Sequence, residues 1–135
     1  MKVSIVKYNA GNIYSVVNAL RRLGVEPLIT DDAETLASSD RVLFPGQGEA
    51  RTTMSYIREH RLDDIIRNLR QPVLYVYFIH SYYVPECQWT IASADYIQPF
   101  SAALRKDNFY ATQFHPEKSG KVGERILRNF LEAEP

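Results

Sequence analysis

The first half of the chain alternates short runs of β-branched and aliphatic residues with stretches whose apolar residues recur at helical spacing. Such runs predict strands buried on both faces, and they occupy 3–6, 27–30, 41–44 and the run that opens at 71–74. The intervening stretches predict helices at 13–23, 33–37, 52–59 and 62–69. This order predicts an α/β fold, an open and mostly parallel sheet with helices on both faces.

The second half changes pattern after Pro85. Shorter strands are predicted at 88–94, 102–105 and 109–114, with turns at Gln98-Pro99 and 106–108, so this part of the sheet is expected to be antiparallel or mixed. The chain then closes with an amphipathic helix. Its predicted apolar side consists of Val122, Ile126, Leu127, Phe130 and Leu131.

Composition limits the classes of function. The 135 residues are enough for one domain, and the net charge of zero gives no reason to expect a nucleic acid or an anionic membrane as partner. No apolar run is long enough to span a membrane, and no signal peptide precedes the first strand. The single cysteine, Cys87, excludes an internal disulfide and predicts a cytoplasmic protein.

A histidine and a carboxylate follow the last predicted strand, in Gln113-Phe114-His115-Pro116-Glu117-Lys118-Ser119. His115 can act as a general base near neutral pH, and Glu117 can orient the imidazole if the turn at Pro116 brings it back. These would be two members of a nucleophile–histidine–acid triad. The alternative is a capped helix start, with Glu117 and Ser119 ahead of the C-terminal helix. The residues alone leave both interpretations open.

The other candidate segments also have two interpretations. Pro45-Gly46-Gln47-Gly48 ends a predicted parallel strand, where its peptide N–H groups could form an oxyanion hole or where it could be a plain turn. His80-Ser81-Tyr82-Tyr83 could line a pocket or belong to the core. Cys87 has no cationic neighbour to activate it and is interpreted as structural. No metal-ligand spacing and no phosphate-binding loop occur, so neither a metal nor a cofactor is expected.

Five segments in chain order resemble one family. They are Tyr8-Asn-Ala-Gly-Asn12, Pro45-Gly-Gln-Gly48, Gln71-Pro-Val-Leu74, His80-Ser-Tyr-Tyr83 and Gln113-Phe-His-Pro-Glu-Lys-Ser-Gly120. The resemblance is to the glutamine amidotransferase subunit of imidazole glycerol phosphate synthase. It implies a flavodoxin-like fold and a cysteine triad that hydrolyses glutamine. It also implies that ammonia passes to a (β/α)₈-barrel cyclase partner in histidine biosynthesis.

The resemblance also implies roles for individual residues. His115 matches the triad base and Glu117 its orienting acid. Gln47 and Gly48 match the oxyanion segment, whereas Ser81 and Tyr82 match positions that contact the substrate glutamine. The segment from Tyr8 to Asn12 lies toward the cyclase in the family.

One departure from the family is large. In the family, the strand ending Pro-Val-Leu continues into a Gly-x-Cys-x-Gly-x-Gln elbow that carries the nucleophile, but here Leu74 is followed by Tyr75. The twelve residues of 73–84 would span roughly 40 Å if extended, about twice a usual strand, which suggests two strands joined by an internal deletion. We therefore predict one truncated domain over 1–135, inactive as a glutaminase. The alternative is a catalytically dead remnant, a binding module that docks on the cyclase barrel.

Overall fold

The computed structural model describes residues 1–8, 13–46, 57–76 and 84–134. Its strands and helices are β1 (Val3–Val6), α1 (Tyr14–Arg22), β2 (Leu28–Thr30), α2 (Ala33–Ala37), β3 (Arg41–Pro45), α3 (Leu62–Arg67), β4 (Val73–Val76), β5 (Thr90–Tyr96), β6 (Gln98–Lys106), β7 (Phe109–Thr112) and α4 (Gly120–Glu132). A short 3₁₀ turn over Pro116–Lys118 precedes α4. The predicted order of strands and helices is confirmed for the described residues, whereas most of the helix predicted at 52–59 lies outside them. The predictions for Gln47, Gly48, Ser81, Tyr82 and the join after Val76 lie outside the described residues.

A seven-stranded sheet forms the centre, in the order β2-β1-β3-β4-β7-β6-β5. The strands from β2 to β7 in this order are parallel to one another, whereas β6 pairs antiparallel with both β7 and β5. The predicted open sheet, mostly parallel with a mixed C-terminal part, is confirmed. This order makes β4 and β7 direct parallel neighbours, with Val76 opposite Thr112.

Helices cover both faces of the parallel strands. On one face, α1 and α4 pack on Ile5, Leu43 and Leu74 in one apolar cluster. On the other face, α2 and α3 pack on Val42 and Val73 in a second cluster. Each fully buried leucine or isoleucine contributes roughly 1.5–3 kcal/mol of transfer free energy, so the two clusters stabilise the sheet from both sides.

Two helix ends follow the chemistry expected of them. Gly24 ends α1 at φ +81°, where its N–H donates to the Arg21 carbonyl at 2.9 Å and the next N–H reaches Leu20 at 3.0 Å. Asp32 caps α2 by accepting from the Thr35 N–H at 2.9 Å. The hydrogen bonds from Thr35 hold the pKa of the Asp32 carboxyl below its usual range. No helix in the described parts of the chain has the length and apolarity needed to cross a membrane.

Two local predictions are wrong. The turn predicted at Gln98-Pro99 lies instead at Ile97, whose φ is +68°, and Pro99 belongs to β6. Because β7 pairs with β6 only from Ala103 onward, Pro99 lies in a part of β6 that is an edge on the β7 side, a position at which strands tolerate proline. The second error concerns Val122, which is 69% exposed rather than on the apolar side of α4.

Tyr75 on β4 provides a test of the packing on the second face. Its ring lies 5.3 Å from Phe44 and 6.4 Å from Phe109, and burial raises its pKa to about 12. The folded state thus favours the neutral phenol. We expect its contribution to the free energy of unfolding to be complete below about pH 10 and to be lost as the pH rises toward about 12. Urea titrations of the wild type and Tyr75→Phe across this range measure the difference, which should be constant below pH 10. A difference that varies between pH 7 and 9 would contradict the assignment.

Candidate active site

The candidate site lies at the edge of the sheet where the parallel strands end. The carboxyl ends of β1, β3, β4 and β7 meet at this edge, as they must in parallel neighbours. The chain leaves it through Tyr8 after β1, Gly46 after β3 and Gln113 after β7. This is the edge at which open α/β sheets bind their ligands.

His115 and Glu117 face each other just beyond β7. The Thr112 hydroxyl donates to the Phe114 carbonyl at 3.0 Å, and the Gln113 N–H donates to Ala102 at 2.8 Å. The 3₁₀ turn that begins at Pro116 then brings the Glu117 carboxylate back, so that His115 Nδ1 lies 2.7 Å from Glu117 Oε1. The structure therefore brings together the two residues that the sequence singled out.

The surroundings of the pair favour a proton-transfer role over a helix cap. The Glu117 side chain is 3% exposed and that of His115 is 23% exposed. Ser119, at the N-cap of α4, makes no side-chain cap, and its hydroxyl donates to the His115 carbonyl at 2.6 Å. A buried carboxylate on an imidazole, with no cap at the helix, is the arrangement of an oriented base.

The geometry selects one tautomer of His115. An ionised carboxylate can only accept hydrogen bonds, so Nδ1 carries the proton and Nε2 becomes the basic nitrogen. The second oxygen of Glu117, Oε2, is buried and has no hydrogen-bond partner among the described residues. An unsatisfied buried acceptor costs about 1–3 kcal/mol. The carboxylate therefore lies with one oxygen 2.7 Å from His115 Nδ1 and the other buried without a hydrogen-bond partner among the described residues.

The start of the predicted oxyanion segment is held on two sides. The Tyr8 hydroxyl donates to the Pro45 carbonyl, and the Tyr8 ring stacks on Phe44 at 4.7 Å. The Gly46 N–H donates to the Val76 carbonyl at 2.7 Å. These contacts tie the ends of β1, β3 and β4 together directly before Gln47. The sequence did not reveal this role of Tyr8, although a tyrosine two residues after a buried strand places a hydroxyl near this edge.

Cys87 lies away from the pair in the order of strands. It precedes β5, the outermost strand, and its contacts go to Thr90, with 3.7 Å from the Thr90 hydroxyl oxygen to the sulfur. Strand β6 lies between β5 and β7, so Cys87 and His115 belong to loops next to strands that are not direct neighbours in the sheet. In the described parts of the chain, no group of three His, Cys, Asp or Glu side chains could hold a metal ion.

Comparisons with known proteins agree on one family. The family model described as glutamine amidotransferase class-I matches residues 33–133. The imidazole glycerol phosphate synthase subunit HisH of Bacteroides thetaiotaomicron is 46% identical, covering 98% of this chain and 100% of that protein. The subunit of the same name from Escherichia coli is 31% identical with the same coverage.

A solved structure described as a glutamine amidotransferase shares the fold. It superposes with a TM-score of 0.69 over 98% of each chain, at 18% sequence identity. The alignments to the two HisH proteins run over 195 positions, whereas this chain has 135 residues. At least 60 aligned positions therefore have no residue of this chain opposite them.

Proposed function

This chain belongs to the class-I glutamine amidotransferases, in the family of the imidazole glycerol phosphate synthase subunit HisH, and we propose that its site is the glutaminase site of that subunit. His115 is the general base and Glu117 its orienting acid. The 2.7 Å contact between His115 Nδ1 and Glu117 Oε1, at the carboxyl edge of β7, carries this proposal. Gln47 and Gly48 form the oxyanion segment, and Ser81 and Tyr82 contact glutamine.

The proposed reaction is glutamine hydrolysis by a cysteine nucleophile. His115 Nε2 takes the proton from the thiol, and the thiolate attacks the carboxamide carbon of glutamine. The imidazolium then protonates the nitrogen that departs as ammonia, which leaves a glutamyl thioester on the cysteine. His115 next takes a proton from water, the attack of water on the thioester releases glutamate, and the imidazolium returns the proton to the cysteine sulfur. Glu117 stabilises the charge on the ring in both steps. The ammonia passes to a (β/α)₈-barrel cyclase subunit in histidine biosynthesis. We place this reaction in the cytoplasm, because a chain with one cysteine forms no internal disulfide and fits a reducing compartment.

We further propose that the chain in its present sequence is one domain that lacks the elbow after Leu74. Residues 75 and 76 continue β4 in the register of its neighbours, with Tyr75 opposite Ala111. At least 60 positions of the HisH alignments are unmatched, which supports an internal deletion. Without the nucleophile, His115 has no thiol to deprotonate. The family assignment favours a glutaminase subunit over a module that evolved only to bind.

The partner can be tested independently of catalysis. We expect the chain to bind the cyclase subunit with a dissociation constant in the micromolar range or below, because the segment at 8–12 is present in full. Asn12→Ala should weaken binding by about tenfold if this segment contacts the cyclase. Glu132→Ala is the matched control, because α4 ends at the opposite edge of the sheet, where Arg41 donates to the Ala133 carbonyl. Isothermal titration measures each constant, and no association at micromolar concentrations would rule out the proposed partner.

A further inference from the structure

We propose that Gly123 is a positioning residue for the His115–Glu117 pair, an inference that rests on the proposed role of His115 as general base. Gly123 lies in the first turn of α4, beyond the 3₁₀ turn that carries Glu117. The absence of a side chain at this position lets the helix lie directly against the backbone of that turn. We infer that this close approach sets the distance between the imidazole and the carboxylate.

The space at Gly123 is too small for any side chain. A Cβ atom there would lie 1.9 Å from the Pro116 carbonyl oxygen, 2.8 Å from the Pro116 carbonyl carbon and 2.9 Å from Ser119 Cβ. Two of these three neighbours are backbone atoms, so no change of rotamer can relieve the contact. An alanine would therefore have to push α4 and the Pro116 peptide apart by about 1 Å or more.

The displaced peptide is the one that sets the position of Glu117. Pro116 directly precedes Glu117, and the turn is closed by the Lys118 N–H on the His115 carbonyl at 3.0 Å. Ser119 joins the turn to the helix, because its N–H donates to the Pro116 carbonyl at 3.2 Å and its own carbonyl accepts from the Gly123 N–H at 3.1 Å. Moving Pro116 by about 1 Å would stretch the 2.7 Å bond between His115 and Glu117 beyond hydrogen-bonding distance.

The sequence pattern of α4 agrees with a steric requirement at this position. Glycine lowers the stability of a helix relative to alanine, so a helix interior normally avoids it. Gly123 is buried, whereas its neighbour Val122 is 69% exposed. The first residue on the buried side of α4 is thus Gly123 rather than the predicted Val122, because the helix contacts the turn at Gly123.

The experiment is Gly123→Ala in the complete chain, with the tautomer of His115 as readout. Long-range proton–nitrogen NMR at a pH where the imidazole is neutral reports the ratio of Nδ1–H to Nε2–H forms. In the wild type, the bond to Glu117 should keep the Nδ1–H form in excess. In Gly123→Ala we expect that ratio to fall by about tenfold or more, the effect of losing one charge-assisted hydrogen bond.

Two controls separate positioning from general loss of stability. Gly120→Ala changes a glycine at φ +59° where an added Cβ would have no neighbouring atom within 4 Å, so it adds backbone strain without the contact to Pro116. Leu127→Ala removes a fully buried side chain of the same helix and should lower the melting temperature. Both variants should keep the wild-type tautomer ratio.

Each other outcome contradicts the proposal. An unchanged ratio in a folded Gly123→Ala would show that the turn keeps its geometry without the glycine. Global unfolding of Gly123→Ala at low temperature would show that Gly123 is needed for the stability of the whole domain rather than for the geometry of the pair. An equal fall of the tautomer ratio in Leu127→Ala would lead to the same conclusion. None of these readouts uses glutamine or the cyclase, so a failure of the proposed function would be seen separately, in the activity and binding assays.

Discussion

Insertion of the missing HisH segment after Leu74 should raise the rate of glutamine hydrolysis by about 10⁶-fold over the chain in its present sequence. By resemblance, this segment begins with the Gly-x-Cys-x-Gly-x-Gln elbow, and a triad without its nucleophile loses about that factor. The described structure already supplies the opposite side of the site, because Leu74, after which the elbow would follow, pairs with Tyr110 in the strand that leads to His115. Glutamate release in the presence of the cyclase subunit measures the gain.

A matched insertion separates the thiol from the rest of the segment. The same segment with its elbow cysteine changed to alanine should restore the domain to the length of its relatives without restoring hydrolysis. Equal melting temperatures of the two insertions would show that both fold. If the cysteine-containing insertion folds, binds the cyclase and still releases no glutamate, the proposed assignment of this edge as a glutaminase site is wrong.

His115→Ala in the restored protein should remove about 10⁶-fold in kcat, nearly the whole gain, whereas Glu117→Ala should remove about 10⁴-fold. The base takes part in every proton transfer, but the acid only orients the ring and stabilises its charge, so its loss costs less. The 2.7 Å contact and the 3% exposure of the Glu117 side chain support these two roles for these two residues. Initial rates at saturating glutamine give both factors.

Cys87→Ala is the control for these two substitutions. Cys87 is exposed and its contacts go to Thr90, the first residue of β5, so the activity of the restored protein should be unchanged. A loss comparable to that of His115→Ala would mean that Cys87 is the nucleophile. A Glu117→Ala variant with the full activity of the restored protein would show that the carboxylate does not orient the base.

Much of the fold could be predicted because local chemistry and global topology agree. The apolar runs of the first half become parallel strands, Gly24 ends α1 and Asp32 caps α2, each by a rule that acts within a few residues. The error at Pro99 has a non-local cause. Proline usually indicates a turn, but it is tolerated in a strand at an edge position. Whether Pro99 occupies such a position depends on how far β7 pairs along β6.

The candidate site shows the same division. The closeness of His115 and Glu117 could be anticipated because a proline turn lies between them, whereas the contacts of Tyr8 and Gly123 could not. Tyr8 reaches Pro45 across 37 residues, and the contact of Gly123 with Pro116 depends on how α4 packs. The sequence pattern does not predict this close contact between the helix and the turn; its one sign in the sequence is a glycine inside a helix.

The most direct test is a glutaminase assay of this chain in its present sequence, with saturating cyclase subunit and with the intact mass verified. A histidine–carboxylate pair lies at the site, and Cys87, the one thiol in the sequence, precedes the outermost strand, where its described side-chain contact goes to Thr90. We therefore predict glutamate release at the rate of the cyclase subunit alone. Hydrolysis above that rate that disappears in His115→Ala would contradict this prediction, because the chain would then contain a nucleophile that serves the same base.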